Sequence, residues 1–406
     1  MKTNIITVGT GDYWHNQLLP TLAKLEREGL VHHQASVDIT PRTEKETEKE
    51  NLPSVEHRIR KPGQPLSKIL QDLSTEEPVV ILGHANEMHT PDAQDLLENG
   101  FKVLVEKPYA VNPAQFASLT KLVSTFPGKI ALAEYYLMMK AVPLLIAAGF
   151  VQPDSFYLQQ EGILKSHEGL SRRGWTPQDL LGKLRELIGQ PKLFYADVLE
   201  GEGSTGRVNH RGISLVDLRK GGGMIHDLAS HTFSPVVALE GYLGALNLSQ
   251  LGRNLQTARC QEYVDWAKEK FSLELEHIGE TYAALEGVTS EGVPFVAAMG
   301  KYLLNQRNQR RIVIVGDEGQ ALLDMSRCLL SVSSGDGSFE SMLEAPKLPD
   351  SKYYPVIRSC LEVLSGNTPY TFDATAVCME TQEIVLQLVD RASPSLYGEG
   401  TAIHKI

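Results

Sequence analysis

The strongest constraint in the chain is an alternation that fills its first third. Short runs that are apolar through their middles, Ile5-Ile6-Thr7-Val8, Val79-Val80-Ile81-Leu82, Lys102-Val103-Leu104-Val105-Glu106 and Lys129-Ile130-Ala131-Leu132-Ala133, each lead into a segment with helical spacing. Strands without a polar face must be covered on both sides, and strands joined by helices run parallel. The pattern therefore predicts a doubly wound parallel sheet. Leu18, Leu19, Leu22 and Leu25 share one helix face that closes at Gly29. Thr90-Pro91 reads as an N-cap and first helical position, with Gly100 as the stop, and Asn112-Pro113 opens a further helix in the same way. Ala35-Ser36-Val37-Asp38 reads as the second strand, and the charged, proline-bearing stretch 41–65 as a helix fragment plus loop.

Beyond about residue 140 the texture changes. Strand patterns at 192–199, 280–287, 293–300, 311–315, 319–324 and 328–333 are joined by Gly-rich turns. Helical patterns lie at 140–148, from Pro177 through Ile188, and at 224–240, 354–364 and 374–390. This predicts an α+β domain around a largely antiparallel open sheet. The chain of 406 residues exceeds one domain of about 150 residues. It divides into a Rossmann dinucleotide-binding domain at 1–137 and an α+β substrate-binding and oligomerisation domain at 138–406. The stretch at about 150–190, with His167, Arg172, Arg173 and Trp175, reads as an insertion.

Composition removes several classes of function. With 39 Lys+Arg against 50 Asp+Glu the net charge is −11. There is no basic tract for nucleic acid or an anionic membrane. A phosphate ligand stays compatible, because helix N-termini bind anions with backbone N–H groups. Cys260, Cys328, Cys360 and Cys378 form no CxxC pair and no zinc spacing, so free thiols and no metal are expected. The N-terminal apolar run has strand length rather than signal-peptide form, and no apolar run reaches the roughly 18 residues of a membrane span. The expectation is a soluble, cytoplasmic protein.

In a parallel sheet ligands bind beyond the carboxyl ends of the strands, which directs attention to three motifs. Gly9-Thr10-Gly11 joins a strand to a helix and suits a pyrophosphate, although Trp14 stands where a third glycine is usual. Asp38 ends the next strand, where a carboxylate accepts hydrogen bonds from a ribose and favours NAD; nearby Arg42 suits a 2′-phosphate, so NADP stays open. Glu106-Lys107-Pro108 ends the fourth strand. Gly221-Gly222-Gly223 leads into a helix on which Asp227 and His231, four apart, share a face, as an acid/base histidine with a carboxylate partner would. His226 points elsewhere.

Together these motifs resemble the Gfo/Idh/MocA family of NAD(P)-dependent oxidoreductases. Glu106-Lys107-Pro108 is similar to that family's Glu-Lys-Pro signature, and Gly221-Gly222-Gly223 with Asp227 and His231 to its Gly-Gly-Gly…Asp-x-x-x-His signature. His84 to His89, with Asn86, stands where the family has a Pro-Asn-x-x-His-like loop. Val315-Gly316-Asp317-Glu318-Gly319 and the helix from about Thr371 also look like the family. The resemblance implies hydride transfer between a nicotinamide and a carbinol or carbonyl carbon of a sugar, cyclitol or related molecule. It implies Lys107, Asp227 and His231 as the catalytic group. Gly9, Gly11, Asp12, Tyr13, Trp14, Asp38, His84, Asn86, His89, Glu106 and Lys107 would hold the cofactor. Tyr135, Lys140, His210 and Arg211, with Asp227 and His231, would meet the substrate, and a homodimer or homotetramer is expected. Alternatives are a glycosidase or epimerase with transient redox, an imine or tetrapyrrole reductase, and a non-catalytic nucleotide-binding regulator.

Overall fold

The computed structural model describes residues 2–11, 13–39, 55–73, 77–159, 165–166, 177–200, 213–246, 254–301, 308–335, 340–344, 353–394 and 396. They form two compact units. One takes in Met1–Ala110, Ala114–Ala133 and Lys347–Asn367, the other Val111–Pro113, Glu134–Pro346 and Thr368–Ile406.

The first unit is built on a six-stranded sheet: β1 (Thr3–Val8), β2 (Val31–Asp38), β3 (Glu56–Ile59), β4 (Val79–Leu82), β5 (Lys102–Glu106) and β6 (Ile130–Ala133), in spatial order β3-β2-β1-β4-β5-β6. Every pairing is parallel. The order reverses between β1 and β4, the switch point at which such sheets open a crevice. Helices α1 (Leu19–Arg27), α2 (Leu66–Leu70), α3 (His89–Glu98) and α4 (Pro113–Thr125) make the crossovers.

Three details differ from the sequence reading. The stretch 41–65 contributes the edge strand β3, whose pattern Glu56-His57-Arg58-Ile59 lacks the apolar run of the inner strands. Thr90 is not an N-cap: α3 begins one residue earlier, after a 3-10 turn at Asn86–Met88, and the Thr90 hydroxyl donates instead to the Tyr109 carbonyl at 2.7 Å. Trp14 is fully buried, and its indole N–H donates to Thr7 Oγ1 at 2.8 Å. The chain opens into a five-residue π-helical turn, Trp14–Leu18, before α1. Where a third glycine would let helix and strand approach closely, an indole fills a wider gap.

The second unit carries a nine-stranded sheet in the order β7-β15-β14-β13-β12-β8-β11-β10-β9. Its strands are β7 (Lys165–Ser166), β8 (Pro191–Leu199), β9 (Gln256–Ala258), β10 (Tyr282–Val288), β11 (Pro294–Gly300), β12 (Gln309–Gly316), β13 (Gly319–Asp324), β14 (Leu329–Ser334) and β15 (Glu340–Glu344). Neighbours are antiparallel except β8 and β11. Around the sheet lie α5 (Val142–Ala148), α6 (Phe156–Gln159), α7 (Pro177–Leu180), α8 (Leu184–Ile188), α9 (Met224–Ala238), α10 (Glu240–Leu243) and α11 (Gln261–Phe271). The single helix expected from Pro177 to Ile188 is thus two short ones, interrupted at Gly182 with φ +75°. His167, Arg172, Arg173 and Trp175 lie outside the described residues.

Of the last two helices, α12 (Tyr354–Leu364) counts with the first unit, although the sequence division put it in the second domain. It is held there by a Tyr354 hydroxyl donating to Glu28 at 2.7 Å, with the Lys24 ammonium 4.1 Å from the same ring centre. The other, α13 (Ala374–Ala392), packs along α9.

Replacing Trp14 with Gly would recreate the usual fingerprint on paper. In this fold it empties a filled core site, and the expected loss is about 4 kcal/mol, read as a lower urea midpoint. An unchanged midpoint would contradict the packing role.

Candidate active site

The site residues are positioned in each unit by local bonding. In the first unit, Gly9 has φ +91°, and a Cβ there would lie 2.9 Å from the Gly83 carbonyl oxygen and the His84 Cα. Only glycine fits. Gly11 is different: among the described residues no atom beyond its chain neighbours lies within 4 Å of where its Cβ would be, so none of them requires a glycine there. A ligand approaching the backbone closely would require it. Thr10 between them is tied to Asp38, whose carboxylate accepts from the Thr10 amide at 2.7 Å and from its hydroxyl, and from the Ile39 amide at 2.6 Å. Asp38 therefore fixes the turn to the end of β2.

Tyr13 lies over Gly83, where a Cβ would meet its ring at 3.0 Å. Its hydroxyl donates to Glu106 Oε1, and the Tyr353 hydroxyl donates to Glu106 Oε2 at 3.0 Å. The buried Glu106 carboxylate thus accepts from two phenols. Burial and the neighbouring Glu106 charge hold the Tyr13 phenol well above its usual range. Lys107 is half-buried, and its peptide bond to Pro108 is cis.

The loop after β4 is occupied by the protein itself. His84 Nε2 and the Asp92 carboxylate lie 2.6 Å apart, and Arg60 grips the same carboxylate at 2.6 and 2.8 Å. Burial alone would raise the Asp92 carboxyl, but the bonds from His84 and Arg60 outweigh it and hold it low. His89 is 1% exposed, with Nδ1 3.0 Å from the Pro108 carbonyl and Nε2 3.2 Å from that of His84. Asn86, at 9%, is buried as well. Of the cofactor residues expected from sequence, Trp14 and His89 offer a ligand no side-chain surface, because the core already encloses them. Asp12 lies outside the described residues.

In the second unit the triple glycine is a crossing point. A Cβ on Gly222 would be 2.6 Å from the Val216 carbonyl carbon, and one on Gly279 would be 2.3 Å from Gly223 Cα. The close approach brings Glu280 to the start of α9, where its carboxylate accepts from the Ile225 amide at 2.6 Å and its carbonyl from the Met224 amide at 3.1 Å. This carboxylate serves as a cap supplied from outside the helix. Burial keeps its carboxyl above the usual range despite those bonds.

The anchored helix presents Asp227 and His231. His231 Nδ1 donates to Glu134 Oε1 at 2.6 Å, and its ring stacks on Tyr136 with centres 4.1 Å apart. A carboxylate can only accept, so Nδ1 carries the proton, and in the neutral ring the lone pair falls on Nε2. The same Glu134 oxygen accepts from the Tyr136 amide at 3.1 Å. Asp227 pairs with Lys301. Sequence spacing had suggested Asp227 as the orienting partner of His231; the closest carboxylate bond to that ring comes from Glu134. Burial raises the Tyr135 phenol, and the Lys140 ammonium sits 5.4 Å from its ring centre. His210 and Arg211 lie outside the described residues. Among the described residues no three His, Cys, Asp or Glu side chains converge as metal donors, and no helix is long and apolar enough to cross a membrane.

Glu134, Tyr136, Lys301 and Tyr353 were not singled out by the motifs. Glu134 and Tyr136 follow the last strand of the parallel sheet, which was a usable signal. Nothing in the spacing marks Lys301, 74 residues from its partner.

With that geometry in view, comparison with known proteins is informative about fold. No family model matches the chain, and no curated protein matches it by sequence. Solved structures do. An oxidoreductase from Thermotoga maritima is 15% identical over 97% of both chains, TM-score 0.64. A levoglucosan dehydrogenase in complex with NADH and levoglucosan is 14% identical over 97% of this chain and 98% of that one, TM-score 0.65. A 3-ketoreductase from Actinomadura kijaniata, in complex with TDP-benzene and NADP, is 15% identical over 95% and 96%, TM-score 0.56.

Two buried histidines give a pH test. Among the described residues His226, on α9, has no hydrogen-bond partner for either ring nitrogen. Burial pushes both His226 and His89 from 6.5 down to about 4. The unfolded chain takes up these protons first, so stability is intact above pH 6.5 and falls as pH drops toward 4. The expected loss is on the order of 3 kcal/mol per histidine at the lower limit. Urea unfolding of His226→Leu should show a shallower acid decline than wild type; parallel declines would contradict this.

Proposed function

We propose that the chain is an NAD(P)-dependent oxidoreductase of the Gfo/Idh/MocA type, moving a hydride to or from a carbinol or carbonyl carbon of a sugar, cyclitol or related molecule. The observation that carries the reading is the buried Glu134–His231 bond, one helical turn from Asp227. A histidine with one nitrogen fixed as donor and the other presented as base suits removal of a hydroxyl proton. The fold neighbours support the reading, since they include a sugar dehydrogenase and a ketoreductase in complex with NADH and NADP.

The residues present fit a dinucleotide. The open space at Gly11 and the turn held by Asp38 suit a pyrophosphate, and Asp38 at the end of β2 favours NAD over NADP. The nicotinamide, when bound, supplies or accepts the hydride. In the oxidative direction His231 Nε2 takes the hydroxyl proton, and Glu134 stabilises the imidazolium that results. Asp227 accepts a hydrogen bond from a substrate hydroxyl. Lys107 donates to the reacting oxygen, and Tyr135 and Lys140 contact the substrate. A homodimer or homotetramer belongs to the same reading. Leu193 and Leu322, 39% and 40% exposed, stand on one sheet face by register with Val315 and Val313. Light scattering at a dimer or tetramer mass supports this, and a monomer rules it out.

Nicotinamide fluorescence titration tests the cofactor half. Gly11→Leu should weaken binding tenfold or more, about 1.4 kcal/mol, with the Tm measured alongside to separate lost binding from lost folding. Equal affinity would remove the turn from the cofactor site. For the chemical half, sugars and cyclitols are screened by absorbance of the reduced nicotinamide. His231→Asn should lower kcat by about 100-fold or more. Wild-type turnover in that variant would sink the role of His231.

A further inference from the structure

The second unit holds a row of alternating charges that the motifs do not mention. Three neighbouring strands, β12, β8 and β11, each place one charged residue at the same end of the sheet: Arg310 at the start of β12, Glu200 just after β8 and Lys301 just after β11. The register fixes this coincidence. Arg310 pairs with Val198, and Leu199 pairs with Gly300, so the three residues fall side by side. Their backbones are held too, by the Glu200 amide donating to Gly300 and the Lys301 amide to Thr281, both at 2.8 Å. Arg310 Nη2 donates to Glu200 Oε1 at 2.7 Å, Glu200 Oε2 lies 3.4 Å from Lys301 Nζ, and Lys301 Nζ donates to Asp227. The order is plus, minus, plus, minus, and it ends on α9.

The side chains of Lys301, Glu200 and Asp227 are 7%, 12% and 14% exposed. Charges this far from water are costly unless paired, and deleting one leaves its partner uncompensated. Without the Lys301 ammonium, Asp227 would face Glu200 with no cation between them.

We propose that Lys301 is a positioning residue for the reaction: its ammonium holds the Asp227 carboxylate ionised and in place, with Glu200 and Arg310 fixing the ammonium from behind. This rests on the reading of Asp227 as a substrate-binding carboxylate. It goes beyond that reading by assigning the state of Asp227 to a residue 74 positions away. Among the described residues, the charged and titratable groups around Asp227 include His226 and His231 on its own helix, Lys301, Glu200 and Arg310 from the sheet end, and Tyr136 from the turn packed on α9. Two carboxylates and two cations make the row neutral, so the histidine one turn away can change charge beside a balanced set.

The test is a carboxyl NMR titration of protein labelled at aspartate carbons, without cofactor or substrate, with the Asp227 signal assigned by its loss in Asp227→Asn. Lys301→Met should raise the pH at which Asp227 takes up its proton by about one pH unit or more, whereas Lys301→Arg should leave it near wild type. An unmoved signal in Lys301→Met overturns the proposal, even if the variant is less heat-stable. Should Lys301→Met not fold, Glu200→Gln supplies the opposite sign. Removing that negative neighbour should lower the Asp227 midpoint, and an unchanged or raised midpoint overturns the proposal. The pH profile of kcat/KM should move in parallel in Lys301→Met, a change that loss of structural support alone would not cause. Because the titration needs no turnover, an inactive wild type would count against the proposed reaction, while the NMR result separately decides the role of Lys301.

Discussion

A single buried carboxylate, Glu280, sets the position of everything chemical in the second unit. It takes the Ile225 amide of α9 from outside the helix, while the Glu280 backbone carbonyl takes the Met224 amide, at the point where Gly223 crosses Gly279. A Cβ on Gly279 would lie 2.3 Å from Gly223 Cα, and one on Gly223 would lie 3.0 Å from the Glu280 carboxylate, so neither position takes a side chain without a shift at the helix start. Glycine, which has no side chain to cap a helix, is therefore demanded here by contact, and the side-chain cap it cannot supply comes from the neighbouring strand segment. Asp227 and His231 ride on the first two turns of the helix so fixed.

Those two residues are one turn apart, yet their charge partners come from different directions. His231 is served by Glu134, which immediately follows the last strand of the parallel sheet in sequence, while Asp227 is served by Lys301 at the end of β11. Separate partners allow separate tuning. A carboxylate shared between the two would have to choose between orienting the ring and meeting a hydroxyl. With Glu134 on Nδ1 and Lys301 on Asp227, the histidine and the carboxylate each have a charge partner of their own. The first unit shows the same economy at its strand ends, where Asp38 fixes the Gly9-Thr10-Gly11 turn and Glu106 gathers Tyr13 and Tyr353.

The parallel sheet was legible because its inner strands, such as Val79–Leu82, have no polar face and leave one covering arrangement open. The mixed sheet was legible from its hairpin spacing, though β7, β9 and β15 went unseen, β7 being only two residues long and β9 short and exposed throughout. The edge strand β3 was missed for a related reason: with only one neighbour and mixed burial it lacks the apolar signature. Trp14 is the instructive case at the site. Read as a departure inside a binding fingerprint, it proves to be core, and it is the first residue of the π-helical turn that precedes α1. Local spacing put Asp227 and His231 on one face correctly. The strand-end rule marked Glu134 without giving it a role, and nothing marked Lys301, because strand register, not sequence distance, brings that group to the helix.

The account stands most directly on the protonation pattern of one ring. Nitrogen-15 NMR of His231 at neutral pH should show Nδ1 carrying the proton and Nε2 bearing the lone pair, with that preference lost in Glu134→Leu. A wild-type ring protonated at Nε2 would contradict the assignment of that nitrogen as the base.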